Sequence, residues 1–163
     1  MTAVVEVEAV GRQLESREAI VRIRARDQLV KDGSPEVVRM LISALYHRSA
    51  HLRWEAAKAL ADIGDPAASA AFLHAIDDDN CDVRWVACEG LVALGETGLV
   101  AVLFGLMRRA ISPSFCRSAH HVLSELRCDA PDIINPVLAA LNGSQPAVTA
   151  PVAAFEALRT LGY

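Results

Sequence analysis

Cys116 and His120 stand four residues apart, so on a helix they share one face, and a thiol beside an imidazole is the beginning of a zinc site. Cys88 occupies the position one repeat before His120, and His121 follows directly, so further soft ligands are conceivable. Against this stands the common use of cysteine as a small packing residue in helices, and the expectation is no metal and no cofactor. The acidic run Asp77, Asp78, Asp79, Asn80 and Asp82 offers the oxygen donors of a calcium loop but lacks the glycine and the twelfth-position glutamate of an EF-hand. It reads as a solvated loop and helix cap. The repeat set out next brings no serine, histidine and aspartate together, and no glycine-rich phosphate loop follows a strand. No catalytic residue is therefore expected.

The elements that hold these groups follow from self-similarity. Arg53, Trp54, Ala56 and Leu60 recur 31 residues later as Arg84, Trp85, Ala87 and Leu91, followed by Gly64 and Gly95, and Leu29 with Gly33 extends the register backwards. A fixed period in this range means one supersecondary unit stacked on copies of itself. Leu52, Ala56, Leu60 and Ile63 form one helical stripe, Gly64 supplies the left-handed stop, and Asp65 and Pro66 start a second helix with Ala68, Phe72 and Ile76 inward. Each unit is thus helix A, tight turn, helix B and a short polar loop, with about 12 residues per helix. The boundaries expected are an N-terminal cap helix over about 2–14, repeats over about 16–50, 51–81, 82–112 and 113–145, and a C-terminal cap helix without a partner over about 146–162. All of 1–163 reads as a single domain.

Composition agrees and narrows the function. Of 163 residues, 53% are hydrophobic but only 5% aromatic, so small and medium side chains suited to closely packed helices dominate, and the fold class expected is all-α. Sixteen basic against twenty acidic residues give a net charge of −4, which argues against tracking phosphates and hence against nucleic acid as a partner. Charges interrupt every apolar run before membrane-spanning length, and residues 1–8 carry acids where a signal peptide needs bases. No membrane partner is expected. Four cysteines without C-x-x-C pairing suit a reducing compartment, so the location expected is cytoplasmic.

The run from Leu52 through Arg53, Trp54 and Leu60 to Gly64, Asp65 and Pro66, echoed from Val83 to Gly95, resembles the HEAT-like repeats of the phycobilisome lyase class. The resemblance implies a right-handed α-solenoid of helical hairpins with terminal capping helices, B helices lining a concave face and A helices outside. It implies no single activity, because repeats of this kind serve lyases, hydroxylases, scaffolds and adaptors alike. Deoxyhypusine hydroxylase, similar in framework, holds two irons with His-Glu pairs. Here Trp54-Glu55 and Trp85-Val86 stand instead, and an indole has no lone pair for a metal. Alkylpurine glycosylases of similar build need a basic groove. The groove positions here are Arg39, Ser43, Ala70, His74, Ala101, Gly105, Asn135 and Ala139, which are small and mostly neutral.

That trough is the binding surface expected, with Arg39, Tyr46, His74, Arg108 and Arg109 along it, able to receive a partner helix or extended segment. Trp54 and Trp85 fall at the margin of the core, where two neighbouring indoles would make an aromatic step. Arg53 and Arg84 read as ladder rungs to the neighbouring loop. The function expected is a non-catalytic scaffold or adaptor binding another protein, with a tetrapyrrole-handling subunit resembling a bilin lyase as the alternative. A further expectation is a subunit of a hetero-oligomer, its apolar ends completing a longer superhelix.

Overall fold

Glycine at a fixed stride is what divides the chain into stacked hairpins. A computed structural model describes residues 2–163, with side chains from residue 7 onward. Gly33, Gly64 and Gly95 all adopt positive φ, at 55°, 71° and 56°, a region that costs residues with a Cβ dearly. The Gly33 and Gly64 N–H groups donate to the carbonyls of Leu29 and Leu60, closing the helices before them. Those leucines, and Leu91, are buried. The helices follow as α1 (Thr2–Gln13), α2 (Ala19–Asp32), α3 (Pro35–Ala44), α4 (Ala50–Ile63), α5 (Ser69–Ala75), α6 (Cys81–Ala93), α7 (Glu96–Arg109), α8 (Pro113–Leu126), α9 (Pro131–Leu141) and α10 (Pro146–Leu161). There is no strand among the described residues. The molecule is an all-α solenoid.

Two of the turns differ from the simple unit. The second helix of the second unit begins as a 3-10 turn, Pro66–Ala68, in which Asp65 caps the Ala67 N–H, so α5 is only 7 residues long. At Gly95 no aspartate and proline follow. The glycine (ψ −123°) is itself the N-cap of α7, and the chain turns from one helix directly into the next.

The A helices α2, α4, α6 and α8 stack in sequence, and each B helix packs on the A helix that follows it: α3 on α4, α5 on α6, α7 on α8. α1 obeys the same rule, lying on α2 and α3, and so behaves as a leading B helix. α4 packs along α6, and the buried residues of the two helices are mostly small, Ala56, Ala57 and Ala59 in α4 and Val83, Val86, Ala87 and Gly90 in α6. Small side chains let the two axes approach. Gly90 makes room for Phe72, whose Cζ would stand 2.5 Å from any added Cβ.

The C-terminal end departs from the reading of α10 as a cap without a partner. α10 lies along both α7 and α9, and α9 makes no substantial contact with α7. α10 thus occupies the place in the B row that the fourth unit's own second helix would have taken. Its buried seam is Ala150, Ala154, Ala157 and Leu158, small enough for close packing, and Tyr163 closes the contact edge-to-face on Phe104 at 6.3 Å. The Thr149 hydroxyl donates to the Ala140 carbonyl at 3.0 Å and fixes the start of α10 against α9.

Two glycine substitutions separate backbone constraint from mere proximity. In Gly98→Ala the new Cβ would run into the Leu91 carbonyl, which belongs to the backbone and cannot step aside. The urea midpoint is expected to fall by the equivalent of about 2–3 kcal/mol. In Gly11→Ala the Cβ meets only the mobile sulfur and methyl of Met40, at 2.9 and 3.2 Å. With alanine's better helix propensity, worth about 1 kcal/mol, that variant should be no less stable than the parent.

Candidate functional site

The first side chain fixed by the repeat is an arginine near the start of each A helix. Arg22 Nη1 donates to the carbonyls of Ser16 and Arg17, Arg53 Nη1 to those of His47 and Arg48, and Arg84 Nη1 to those of Asp78 and Asp79. The three rungs lie 31 residues apart. Each closes the loop that precedes its own helix, satisfying carbonyls that no helix ladder reaches. In the fourth unit Cys116 stands in this place and its Sγ donates to the Ala110 carbonyl at 3.2 Å. The spacing alone marks Arg22, but Ile23 follows it where Trp54 and Trp85 follow the others, so the sequence motif is weaker there.

Carboxylates further along the chain complete two of these rungs. Arg22 Nε and Arg26 Nη1 grip the two oxygens of Glu55 at 3.0 and 2.7 Å, and Glu55 is 2% exposed. Arg53 Nε and Nη2 form a fork on Asp78, both at 2.7 Å, with Asp79 also on Nη2. Burial pushes the Asp78 carboxyl upward, but hydrogen bonds from Arg53 and from the Asn80 backbone, with the Arg53 charge, outweigh it and hold the group below its ordinary 3.8. The same hydrogen bond raises Arg53. The acidic run is therefore an ionic junction rather than a solvated loop. Asp77 accepts from Arg109 at 2.8 Å and from the Ser112 hydroxyl at 3.0 Å, and Asn80 caps α6 through the N–H groups of Asp82 and Val83.

Two clefts open along the A helices. One of about 420 Å³ is lined by Arg22, His51, Trp54, Glu55, Asn80 and Asp82, a mixture of charges. The other, about 270 Å³, is lined by Arg84, Trp85, Arg117, Ser118 and His121 among others. The two indoles differ. Trp54 is half-buried against the core with the Arg26 guanidinium 5.7 Å over its ring, whereas Trp85 is 59% exposed and stacked on His121 at 4.9 Å. In place of a step between tryptophans there are two separate pairings. Tyr46, 58% exposed, is likewise stacked on His74 at 4.8 Å.

Of the other surface residues, Arg39 is exposed and pairs with Glu36 one turn away, and Ser43 and Arg108 are exposed on α3 and α7. Arg109 is committed to the fold: beyond Asp77 it donates to the Leu73 carbonyl and lies 4.7 Å over Phe115. Asn135 is exposed on α9, apart from the α3 and α5 face. The continuous trough read from the sequence stops at α7. Gly105, counted as part of its floor, is buried where an added Cβ would meet Phe115 at 2.6 Å and Leu73 at 2.8 Å, and α10 lies along the same helix.

Cys88, Cys116, His120 and His121 do not converge. Cys88 is buried, faces the Ser118 carbonyl, and has its thiol pushed up by burial to about 11, far from a thiolate. His120 sits between the Ser124 hydroxyl and the Asn142 side chain, and His121 contacts Glu89. Among the described residues no three His, Cys, Asp or Glu side chains are grouped as metal ligands.

Residues 7–80, somewhat under half of the chain, match the family model for HEAT repeats. No curated protein matches the chain. Among solved structures, the crystal structure of an engineered protein is similar at 15% identity, covering 96% of this chain and 85% of that one with a TM-score of 0.44. The match to HEAT repeats thus lies in residues 7–80, and the α-solenoid itself is seen in the helices along the whole described chain.

Asp78→Asn tests the junction. Because the folded carboxyl lies below 3.8, its contribution is present above that value and lost as pH falls through and beneath it. At pH 7 the variant should be less stable by about 2 kcal/mol, and its stability should fall less steeply than the parent's between about pH 5 and 3. Urea melts across that range measure both.

Proposed function

We propose that this protein is a non-catalytic scaffold or adaptor that binds a segment of another protein on the faces of its stacked helices. One observation carries the reading: large aromatic side chains are left in solvent but held flat by a histidine of the following unit, Tyr46 on His74 and Trp85 on His121. Rings immobilised in this way lose little freedom when covered, and aromatic anchors near arginines are the composition of interface hot spots. A partner helix or extended segment laid across α3 and α5 would meet Arg39, Ser43 and the Tyr46–His74 pair. Trp85 offers a second anchor on α6.

The four cysteines are unpaired, which suits work in the cytoplasm, and no helix among the described residues is long and apolar enough to cross a membrane. A role as one subunit of a hetero-oligomer fits the exposed apolar residues Phe104, Met107 and Val152 near the C-terminal end.

Affinity capture from the source cell with the tagged chain, compared with the Tyr46→Ala/Trp85→Ala variant, tests the proposal. The double variant should lose the captured partner almost completely while its helical circular dichroism stays unchanged. A variant that still captures the partner, or that loses its helices, would return both rings to a purely structural role.

A further inference from the structure

The third rung is incomplete, and the internal repeat shows by how much. Arg22 holds Glu55, and Arg53 holds Asp78. Arg84 places Nη1 on two carbonyls as its counterparts do, yet its Nε and Nη2 have no acceptor among the described residues. The register explains the difference. Each rung residue reaches the carbonyl six positions before it, His47 for Arg53, Asp78 for Arg84 and Ala110 for Cys116. Ala110 therefore stands at the end of the third unit where Asp78 stands at the end of the second, and Ser118 stands in the fourth where Glu55 stands in the second. A methyl and a short hydroxyl have replaced the two carboxylates that complete the earlier rungs.

The guanidinium opens instead into the cleft of about 270 Å³, which is lined by Trp85, Ser114, Arg117, Ser118 and His121. Arg117 is exposed and adds a second positive charge. The neighbouring carboxylate, Glu89, is already on His121 at 3.3 Å. Beside the cations lies the exposed indole of Trp85, an apolar surface fixed by its stacking. The cleft thus joins a guanidinium with free N–H donors, a second arginine and an aromatic wall.

We propose that this cleft receives the carboxylate of an aspartate or glutamate side chain from an extended segment of a partner protein, with an adjacent apolar side chain of that segment covering Trp85. This rests on the scaffold reading and names the chemistry of one of its two anchors. The choice of a carboxylate comes from the molecule itself, where the same guanidinium position in two other units binds that group. The partner's acid would complete in trans the rung that Glu55 and Asp78 complete in cis.

The test is an NMR titration of the 15N-labelled full chain with the acetylated, amidated peptide Leu-Glu-Leu-Glu-Leu, its glutamine counterpart, and a version with phosphoserine for each glutamate. The glutamate peptide should shift the Trp85 indole N–H saturably, and the glutamine peptide should bind at least about tenfold more weakly. Arg84→Ala should weaken binding by a similar factor. Ser118→Glu, which leaves the Arg84 carbonyl bonds in place and supplies a carboxylate from within, should do the same. Equal binding of the glutamate and glutamine peptides by the parent chain would overturn the assignment, as would tighter binding of the phosphoserine peptide by tenfold or more. If the carboxylate test fails while the Tyr46→Ala/Trp85→Ala variant still loses its partner, the cleft chemistry is wrong and the scaffold stands. If that variant keeps its partner, the scaffold reading itself falls.

Discussion

A guanidinium near the head of the first three A helices is the interaction on which the stack depends. Helices joined by tight loops leave carbonyls that no ladder can satisfy, and a single side chain recurring every 31 residues meets two of them each time. The other nitrogens of Arg22 and Arg53 reach forward along the chain to Glu55 and Asp78, so one residue type both seals a loop and ties it to an acid further along the stack. Placing a charge in so enclosed a position is tolerable only because the acid and the carbonyls surround it. Glu55 shows the reciprocal case, a carboxylate almost wholly out of water with two arginines upon it.

Much of this was legible before the coordinates. The leucine and glycine stride placed the turns at Gly33 and Gly64, because a residue without a Cβ enters that region of φ freely and its N–H closes onto the leucine carbonyl four positions earlier. What escaped notice was of a different physical kind. Asp78 and Asp77 looked like loop acids because their partners lie 25 positions before and 32 positions after them, distances that no local pattern reveals. Glu55 was weighed only as the companion of Trp54. The return of α10 onto α7 was equally hidden, since a seam of Ala150, Ala154 and Ala157 fits either neighbouring row and the outcome is decided by shape complementarity over the whole surface.

The candidate site was half legible for the same reason. Spacing alone put Trp54 and Trp85 in equivalent places, yet equivalence of position did not bring equivalence of environment. Arg26 shelters one ring, while the other has His121 below it and water above. In a repeat molecule the units that obey the pattern build the frame, and the unit that departs from it is where specificity resides. Here the departures gather between Gly95 and Ser118: Gly95 without its aspartate and proline, Cys116 in place of arginine, Ala110 and Ser118 in place of acids.

The C-terminal helix carries a consequence for how such a spiral grows. Elongation demands that each newly added hairpin dock its second helix on the one before, and α7 already has α10 in that berth, locked by Thr149 at one end and by the Tyr163 ring at the other. A helix of a copy or partner seeking the same place on α7 would have to dislodge α10 first, so that face of α7 is closed to association.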